Sequence, residues 1–271
     1  MLYRCLVIIV LLFVTPATSQ MLRPPVSVPY TKITAYSNQF KDAFSFSGNL
    51  GTLGKEQVFS AGLYSEKRFF LKELTSCTAV VTIPTASGNF GWTGSYLGSA
   101  LFNQSAMGLA YGRELGSNVS LGVQFTYSSQ QAAGYGKAAA LAADAGALIQ
   151  LSPQLNAGIQ VQNLAANNFG KEGDEKLAPV FTAGLGYDVS EQVFIGAEAE
   201  KTEDLPLTIN AGLHYRVAEK LSVRTGVSTA TSVYYLGFGV HLKNLRIDVT
   251  VSVHPYLGTT PGLLLLYSSK K

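Results

Sequence analysis

Val119-Ser120-Leu121-Gly122-Val123-Gln124-Phe125-Thr126-Tyr127-Ser128 is the stretch that decides the fold. Val119, Leu121, Val123, Phe125 and Tyr127 share one face of an extended chain, and Ser120, Gly122, Gln124, Thr126 and Ser128 share the other. Successive side chains of a strand point to opposite sides, so period two is the strand signature. A continuous apolar face opposite a small, polar face has two homes. One is a sheet of a soluble sandwich. The other is the wall of a transmembrane barrel, apolar toward lipid and polar toward the lumen.

Working outward, the same pattern recurs. Leu155, Ala157, Ile159 and Val161 oppose Asn156, Gly158, Gln160 and Gln162. Leu207, Ile209, Ala211, Leu213 and Tyr215 oppose Thr208, Asn210, Gly212, His214 and Arg216. Leu245 through Val253 oppose Arg246 through His254 in the same way. Weaker copies cover 57–65, 76–84, 89–98, 104–114, 138–151, 178–188, 192–202, 221–229, 232–242 and 261–268. The total is about fourteen strands, an even number, as single-chain bacterial barrels have. Connection lengths separate barrel from sandwich. Short turns at Thr85–Gly88, Leu115–Asn118, Ser152–Gln154, Ser190–Glu191, Ala218–Lys220 and Lys243–Asn244 alternate with mostly longer links such as Glu66–Thr75, Gln130–Lys137, Ala165–Lys176 and Pro255–Thr260. That parity belongs to an outer-membrane barrel with short periplasmic turns and longer outer loops. The expected fold class is therefore all-β: a transmembrane antiparallel up-and-down β-barrel over 56–271, with a short N-terminal segment in the lumen.

Composition agrees. Only 14% of the 271 residues are charged, and the chain carries 27 Gly, 14 Tyr and 14 Phe. Soluble domains usually hold about 25% charged residues. Past residue 16, no apolar run reaches the roughly 18 residues that a spanning helix needs. The net charge of +3 comes without a basic run, so no nucleic-acid partner is expected. Residues 1–19 read as a cleaved signal peptide, with Arg4, an apolar core from Leu6 to Val14, and Ala17-Thr18-Ser19 before the cut. The expected location is the outer membrane of a diderm bacterium, with outer-membrane lipid as the surrounding partner. Cys5 leaves with the signal and Cys77 remains, which allows neither an internal disulfide nor a cysteine-based metal site.

Two groups of wall residues stand out. Phe90, Trp92, Tyr111, Tyr187 and Tyr215 lie on the apolar face close to short turns. They read either as an aromatic girdle at headgroup depth on the periplasmic side or as ordinary core aromatics. His214, Arg216, Arg224, His241, Arg246 and Asp248 alternate toward the lumen near two neighbouring short turns, and pairing across those turns sets His214 beside Arg224 and His241 beside Arg246. This basic patch either draws an anionic solute and holds the N-terminal segment, or is a polar network that satisfies itself around Asp248. Glu198 and Glu200 face inward toward the opposite end.

Ahead of the barrel lies a stretch at 20–55 read in two parts. Residues 20–31, with Pro24, Pro25 and Pro29, read as an extended tether. Residues 38–54 carry Asp42, Phe44, Phe46, Leu50 and Leu53 without alternation. They read as a short helix and loop plugging the barrel mouth, the other reading being a loose periplasmic tail. No nucleophile motif, phosphate loop or metal spacing appears, and the three histidines have no i, i+4 partner. No catalytic residue, metal or cofactor is expected, and the chain is not read as an enzyme.

The tracts Gly62-Leu63-Tyr64-Ser65-Glu66-Lys67-Arg68-Phe69, Pro84-Thr85-Ala86-Ser87-Gly88-Asn89-Phe90-Gly91 and Gly108-Leu109-Ala110-Tyr111-Gly112-Arg113, with Ser228–Ser232, Leu245–Thr250 and Pro261–Leu266, give the chain a family likeness. It resembles the PorV/PorQ branch of the FadL-like (long-chain fatty-acid transporter) barrels, most closely that branch's uncharacterised members. That branch usually carries Asn-Pro-Ala in its N-terminal segment, whereas Asn49 is followed here by Leu50-Gly51. The resemblance implies non-enzymatic work at the outer membrane. One form is an accessory or structural barrel in a protein machine related to type IX secretion, with other outer-membrane or periplasmic proteins of a secretion or assembly complex as partners. The alternative is a FadL-like channel or transporter for small molecules, hydrophobic ones among them.

Overall fold

The computed structural model describes residues 29–164, 168–169, 175–176, 178–203, 205–229 and 233–269. In chain order its strands are β1 (Ser60–Lys67), β2 (Thr75–Thr85), β3 (Gly88–Gly98), β4 (Phe102–Leu115), β5 (Val119–Ala132), β6 (Gly136–Gln150), β7 (Leu155–Gln162), β8 (Asn168–Phe169), β9 (Glu175–Lys176), β10 (Val180–Asp188), β11 (Val193–Thr202), β12 (Thr208–Ala218), β13 (Leu221–Ser228), β14 (Val233–Leu242), β15 (Leu245–His254) and β16 (Gly258–Ser268). β8 and β9 pair only with each other. The other 14 form one closed barrel in which sequence neighbours pair antiparallel, and β1 closes onto β16 with Gly62 opposite Leu266. Closure pairs every wall edge, which is what a sheet needs where no water can reach its backbone.

The side chains sort as alternation requires. Leu109, Phe125, Leu141 and Val249 are each more than 60% exposed on the outside, while Ser120, Gly122 and Ser128 are buried within. The alanine-rich β6 has the same sense, with Ala140 and Ala142 inside and Leu141 outside. Cys77 is a free, half-buried residue on the outer side of β2. Among the described residues no helix is long and apolar enough to cross a membrane.

Several boundaries differ from the sequence reading: β5 runs on to Ala132 rather than Ser128 and β6 starts at Gly136, which shortens the link between them to 133–135, and most other ends move by one or two residues. β1 spans 60–67 rather than 57–65, β10 starts at Val180 rather than 178, and β16 starts at Gly258, which shortens the last link to Pro255–Leu257. At Gly258-Thr259-Thr260 both faces are small and polar, so a hydrophobic alternation has nothing to register there. The signal peptide, residues 20–28 of the tether, parts of the Ala165–Lys176 and Glu203–Leu205 links, and the Ala230–Thr231 link lie outside the described residues.

The last part of the tether reading is corrected. Pro29–Lys32 is one helical turn, followed by the 3-10 turn Ile33–Tyr36, and not extended chain. Proline at the first helical position has its φ preset and loses no hydrogen bond, because that N–H would have no partner in the helix. From Tyr30 onward this segment is buried inside the barrel, with further short turns at Ser45–Gly48 and Leu50–Lys55 before it enters β1.

Candidate functional site

Residues 30–56 fill the short-turn half of the lumen, and the wall is shaped to receive them. Inward positions facing this plug are glycine in strand after strand. A methyl group at Gly158 would lie 2.8 Å from the Tyr36 ring, and one at Gly112 would lie 2.8 Å from Leu53 Cβ. Gly62 faces Phe44, Gly91 faces Phe46 and Leu53, Gly122 faces the Leu50 carbonyl, Gly184 and Gly186 face Tyr36, and Gly237 faces Tyr30. Glycine is used here for close approach of two chains, not for its backbone freedom. Tyr30, Ile33, Tyr36, Phe44, Phe46, Leu50 and Leu53 are each at most 2% exposed as a result.

An ionic clamp joins plug to wall. Asp42 Oδ2 accepts from Arg224 Nη2 at 3.0 Å and from Arg246 Nη2 at 2.8 Å. Arg246 Nε donates to Asp248 Oδ1 at 3.0 Å, and Tyr30 Oη donates to Asp248 Oδ2 at 2.9 Å. Arg224 Nε donates to His214 Nδ1 at 3.2 Å, and its guanidinium lies 5.4 Å from the Tyr30 ring. Two arginines thus meet two aspartates, all buried. A buried charge is tolerated when paired and hydrogen-bonded in this way, and removing one partner is costly. Burial pushes the Asp42 carboxyl up, but Arg246 and Arg224 outweigh it, so the net shift is downward and the carboxylate stays ionised.

Amide and hydroxyl contacts complete the seat. Asn49 Nδ2 donates to the carbonyls of Ala147 and Ile159, both at 3.2 Å, while its Oδ1 accepts from Gly51 N at 2.8 Å. Leu50 N donates to Gln160 Oε1 at 2.8 Å, and Asn89 Nδ2 donates to the carbonyls of Leu53 and Glu56 at 2.7 and 2.9 Å. Asn156 Nδ2 donates to the Tyr36 carbonyl at 3.0 Å, Ser37 Oγ donates to Asp188, and Asn38 N donates to Asp188 Oδ2 at 2.8 Å. These satisfy backbone groups that a non-helical buried segment leaves open. Some buried atoms here have no hydrogen-bond partner among the described residues, among them Glu56 Oε1, Asn156 Oδ1 and His214 Nε2. Burial pushes Glu56 up to about 7, with Lys41 pulling it down and Asp42 adding to the rise.

The residues singled out in the sequence divide accordingly. Asp42, Phe44, Phe46, Leu50 and Leu53 all lie in the packed segment. His214 pairs with Arg224 and His241 with Arg246 across the barrel register. The six residues of the basic patch do not act alike, however. Arg224, Arg246 and Asp248 form the clamp, with His214 accepting from Arg224. His241 meets Ser222 Oγ at 3.1 Å, and Arg216 lies 4.9 Å from the Phe40 ring without reaching Asp42. With Asp42 added, the charges of Arg224 and Arg246 are balanced by two buried carboxylates, so these two arginines are not an open basic surface. Phe90, Tyr187 and Tyr215 are exposed on the outer wall, with Trp92 and Tyr111 partly so. The Phe90 and Tyr111 rings are 5.3 Å apart, and Tyr111 Oη donates to the Ser87 carbonyl at 2.6 Å in the β2–β3 turn.

Sequence reasoning missed Tyr30, Ile33 and Tyr36, and with them the first third of the plug, and did not single out Phe40 within 38–54. It also passed over Asn49, Asn89 and Asn156 as seat residues. The signal that could have found the seat is the set of glycines at lumen-facing positions. Among the described residues no cluster of His, Cys, Asp and Glu is arranged to hold a metal ion.

No protein-family model and no curated protein matches the chain. Solved structures do. The monoaromatic hydrocarbon channel CymD superposes with a TM-score of 0.65 at 11% identity, covering 87% of this chain and 94% of that one. The Pseudomonas putida toluene transporter TodX gives 0.64 at 9% identity over 92% and 98%. A Pseudomonas aeruginosa FadL homologue gives 0.62 at 11% identity over 92% and 98%. At these identities the likeness is one of fold: the chain is built like FadL-type barrels. It does not single out the PorV/PorQ branch within them.

Proposed function

We propose that this chain is a non-enzymatic outer-membrane channel of FadL-like architecture that passes small molecules and is closed at its inner half by its own N-terminal segment. The observation that carries the reading is the separability of plug and wall. The 14 strands complete their pairing without any residue of 30–56, while the plug is attached through side-chain docking, chiefly Asp42 to Arg224 and Arg246. A segment held by docking can leave without opening the sheet. The lipid-facing apolar band and the architecture shared with a hydrocarbon channel and a toluene transporter support the same reading. A role in a secretion machine, implied by the PorV/PorQ resemblance, needs partner contacts and gives no reason for a dedicated seat of glycines.

The test is solute flux into proteoliposomes. Full-length protein should admit small solutes slowly, and Asp42→Ala, which unclamps the plug, should admit them at least several-fold faster. Correctly folded barrels of both kinds that admit nothing would remove the channel reading.

A further inference from the structure

The inward row of β1 runs from the plug to the outer mouth. Gly62 faces Phe44 of the plug, and one inward position on, the Tyr64 ring stacks on Tyr30 with centroids 6.5 Å apart. Tyr64 Oη donates to Glu66 Oε2 at 3.1 Å, and Glu66 Oε1 accepts from Arg68 Nε at 2.8 Å. Tyr64 and Glu66 are each 4% exposed. At the lower end Tyr30 donates to Asp248 of the clamp. Packed side chains therefore connect the clamp to Arg68, where β1 gives way to the β1–β2 connection.

That connection is strained. Phe69 and Phe70 have φ of 53° and 60°, the left-handed region in which an L side chain crowds the next carbonyl. Such residues persist only where the surroundings hold them. Here Phe69 N donates to Thr260 Oγ1 of β16 at 3.2 Å, and the Phe69 ring meets His254 of β15 edge-on, with centroids 6.1 Å apart. Thr260 and His254 are both inward positions of their strands, so the chain at Phe69 turns in across the rim. Phe70 and Leu71, just beyond, are exposed.

Resting on the reading of residues 30–56 as a removable plug, we propose that residues 68–74 are an outer latch on it. Seated, the latch fixes Arg68 on Glu66 and so keeps Tyr64 against Tyr30. Lifted off Thr260 and His254, it frees that row and loosens the plug. The plug has two states, docked and released, and the row touches it only in the docked one, which is what lets a distant segment bias the balance. The strain at Phe69 and Phe70 favours lifting, so a few contacts decide whether the latch is seated.

The test is hydrogen exchange of full-length protein in detergent micelles. Thr260→Val removes the acceptor for Phe69 N and leaves the strand backbone as it is. Exchange at 69–74 should quicken about fivefold, as for one lost hydrogen bond, and exchange at Tyr30–Tyr36 at least about twofold. With Tyr64→Phe added, which cuts the row at Glu66, Thr260→Val should still free the loop and no longer reach the plug. Coupling is reciprocal, so Asp42→Ala should quicken 69–74 as well. A plug indifferent to Thr260→Val, a plug that still follows the loop with Tyr64→Phe, or a loop unchanged by Asp42→Ala would each overturn the proposal. Arg68→Ala perturbs the loop a second way, and if neither it nor Thr260→Val quickens 69–74, the loop is not held by these contacts and the latch falls. Exchange reads docking and not flux, so a barrel that shows the coupling and passes no solute would keep the latch and refute the channel.

Discussion

The two halves of the lumen use the same strands and opposite solutions. Toward the short turns, the wall facing the plug withdraws its side chains at Gly91, Gly122, Gly158 and Gly186, and a separate segment brings in Tyr36, Phe46 and Leu50 to fill the space. Toward the longer connections, the wall keeps its side chains, and Gln, Thr and Ser meet one another: Gln104 Nε2 donates to Gln130 Oε1 at 3.1 Å, and Gln124 Nε2 donates to Thr126 Oγ1 at 2.9 Å. One half is a docked interface between two parts of one chain, apolar packing with an ionic clamp and amide contacts, and the other is an interior of the wall alone, mostly polar beside the alanines of β6. The difference locates the removable part of the molecule. A substitution in the first half should act on docking, and one in the second, away from the inward row of β1 and its latch, on local packing only.

Asp42→Ala should show the contrast most strongly. It leaves Arg224 without its carboxylate and Arg246 with Asp248 alone, and breaking such a buried pair costs about 3–5 kcal/mol. Hydrogen exchange of residues 30–56 should accelerate by orders of magnitude, with the strand amides unchanged. Unchanged protection of the plug would mean that apolar packing alone holds it.

Gly122→Val comes next. The Leu50 backbone and Cβ occupy the place a side chain would take, and overpacking of this kind costs about 1–3 kcal/mol. Ser128→Ala, on the same inward face of β5 but above the plug, should stay within about 0.5 kcal/mol. Thermal unfolding of the two variants in one detergent compares the halves directly, and equal losses would erase the distinction.

The smallest effect is that of pH. Glu56 titrates near 4.5 when free and at about 7 when buried in the plug. A raised value means that docking is favoured below 4.5, loses that contribution as pH rises through 7, and is weakest above it. Asp42 works in the opposite sense but outside this window, because its shift is downward and its contribution is lost only in acid. Protease nicking of the plug should therefore be faster at pH 8 than at pH 5.5. Glu56→Gln should flatten the difference, and a slope that survives that substitution would assign it elsewhere.

The wall was the legible part of this molecule. Period two in Val119–Ser128 fixes facing, and the parity of short and long connections fixes closure, because both are local properties repeated strand after strand. The clamp was partly legible: alternation aims Arg224, Arg246 and Asp248 inward, and the two short turns set His214 beside Arg224 and His241 beside Arg246. Asp42 as the residue that unites them belongs to a segment about 180 positions away from Arg224 in sequence, and no local pattern encodes such a meeting. The entry of the plug was misread at Pro29, where proline permits both an extended chain and a first helical turn. Tyr36 gives no periodic signal either, since its partners, Gly158, Gly184 and Glu198, come from three different strands.

Single-channel recording in planar bilayers tests the central claim most directly, with full-length protein compared against a deletion of residues 30–56. The account requires the full chain to be closed except for brief openings, and the deleted form to insert as a folded barrel with a steady, large conductance. Identical traces from the two, whether both open or both closed, would contradict it.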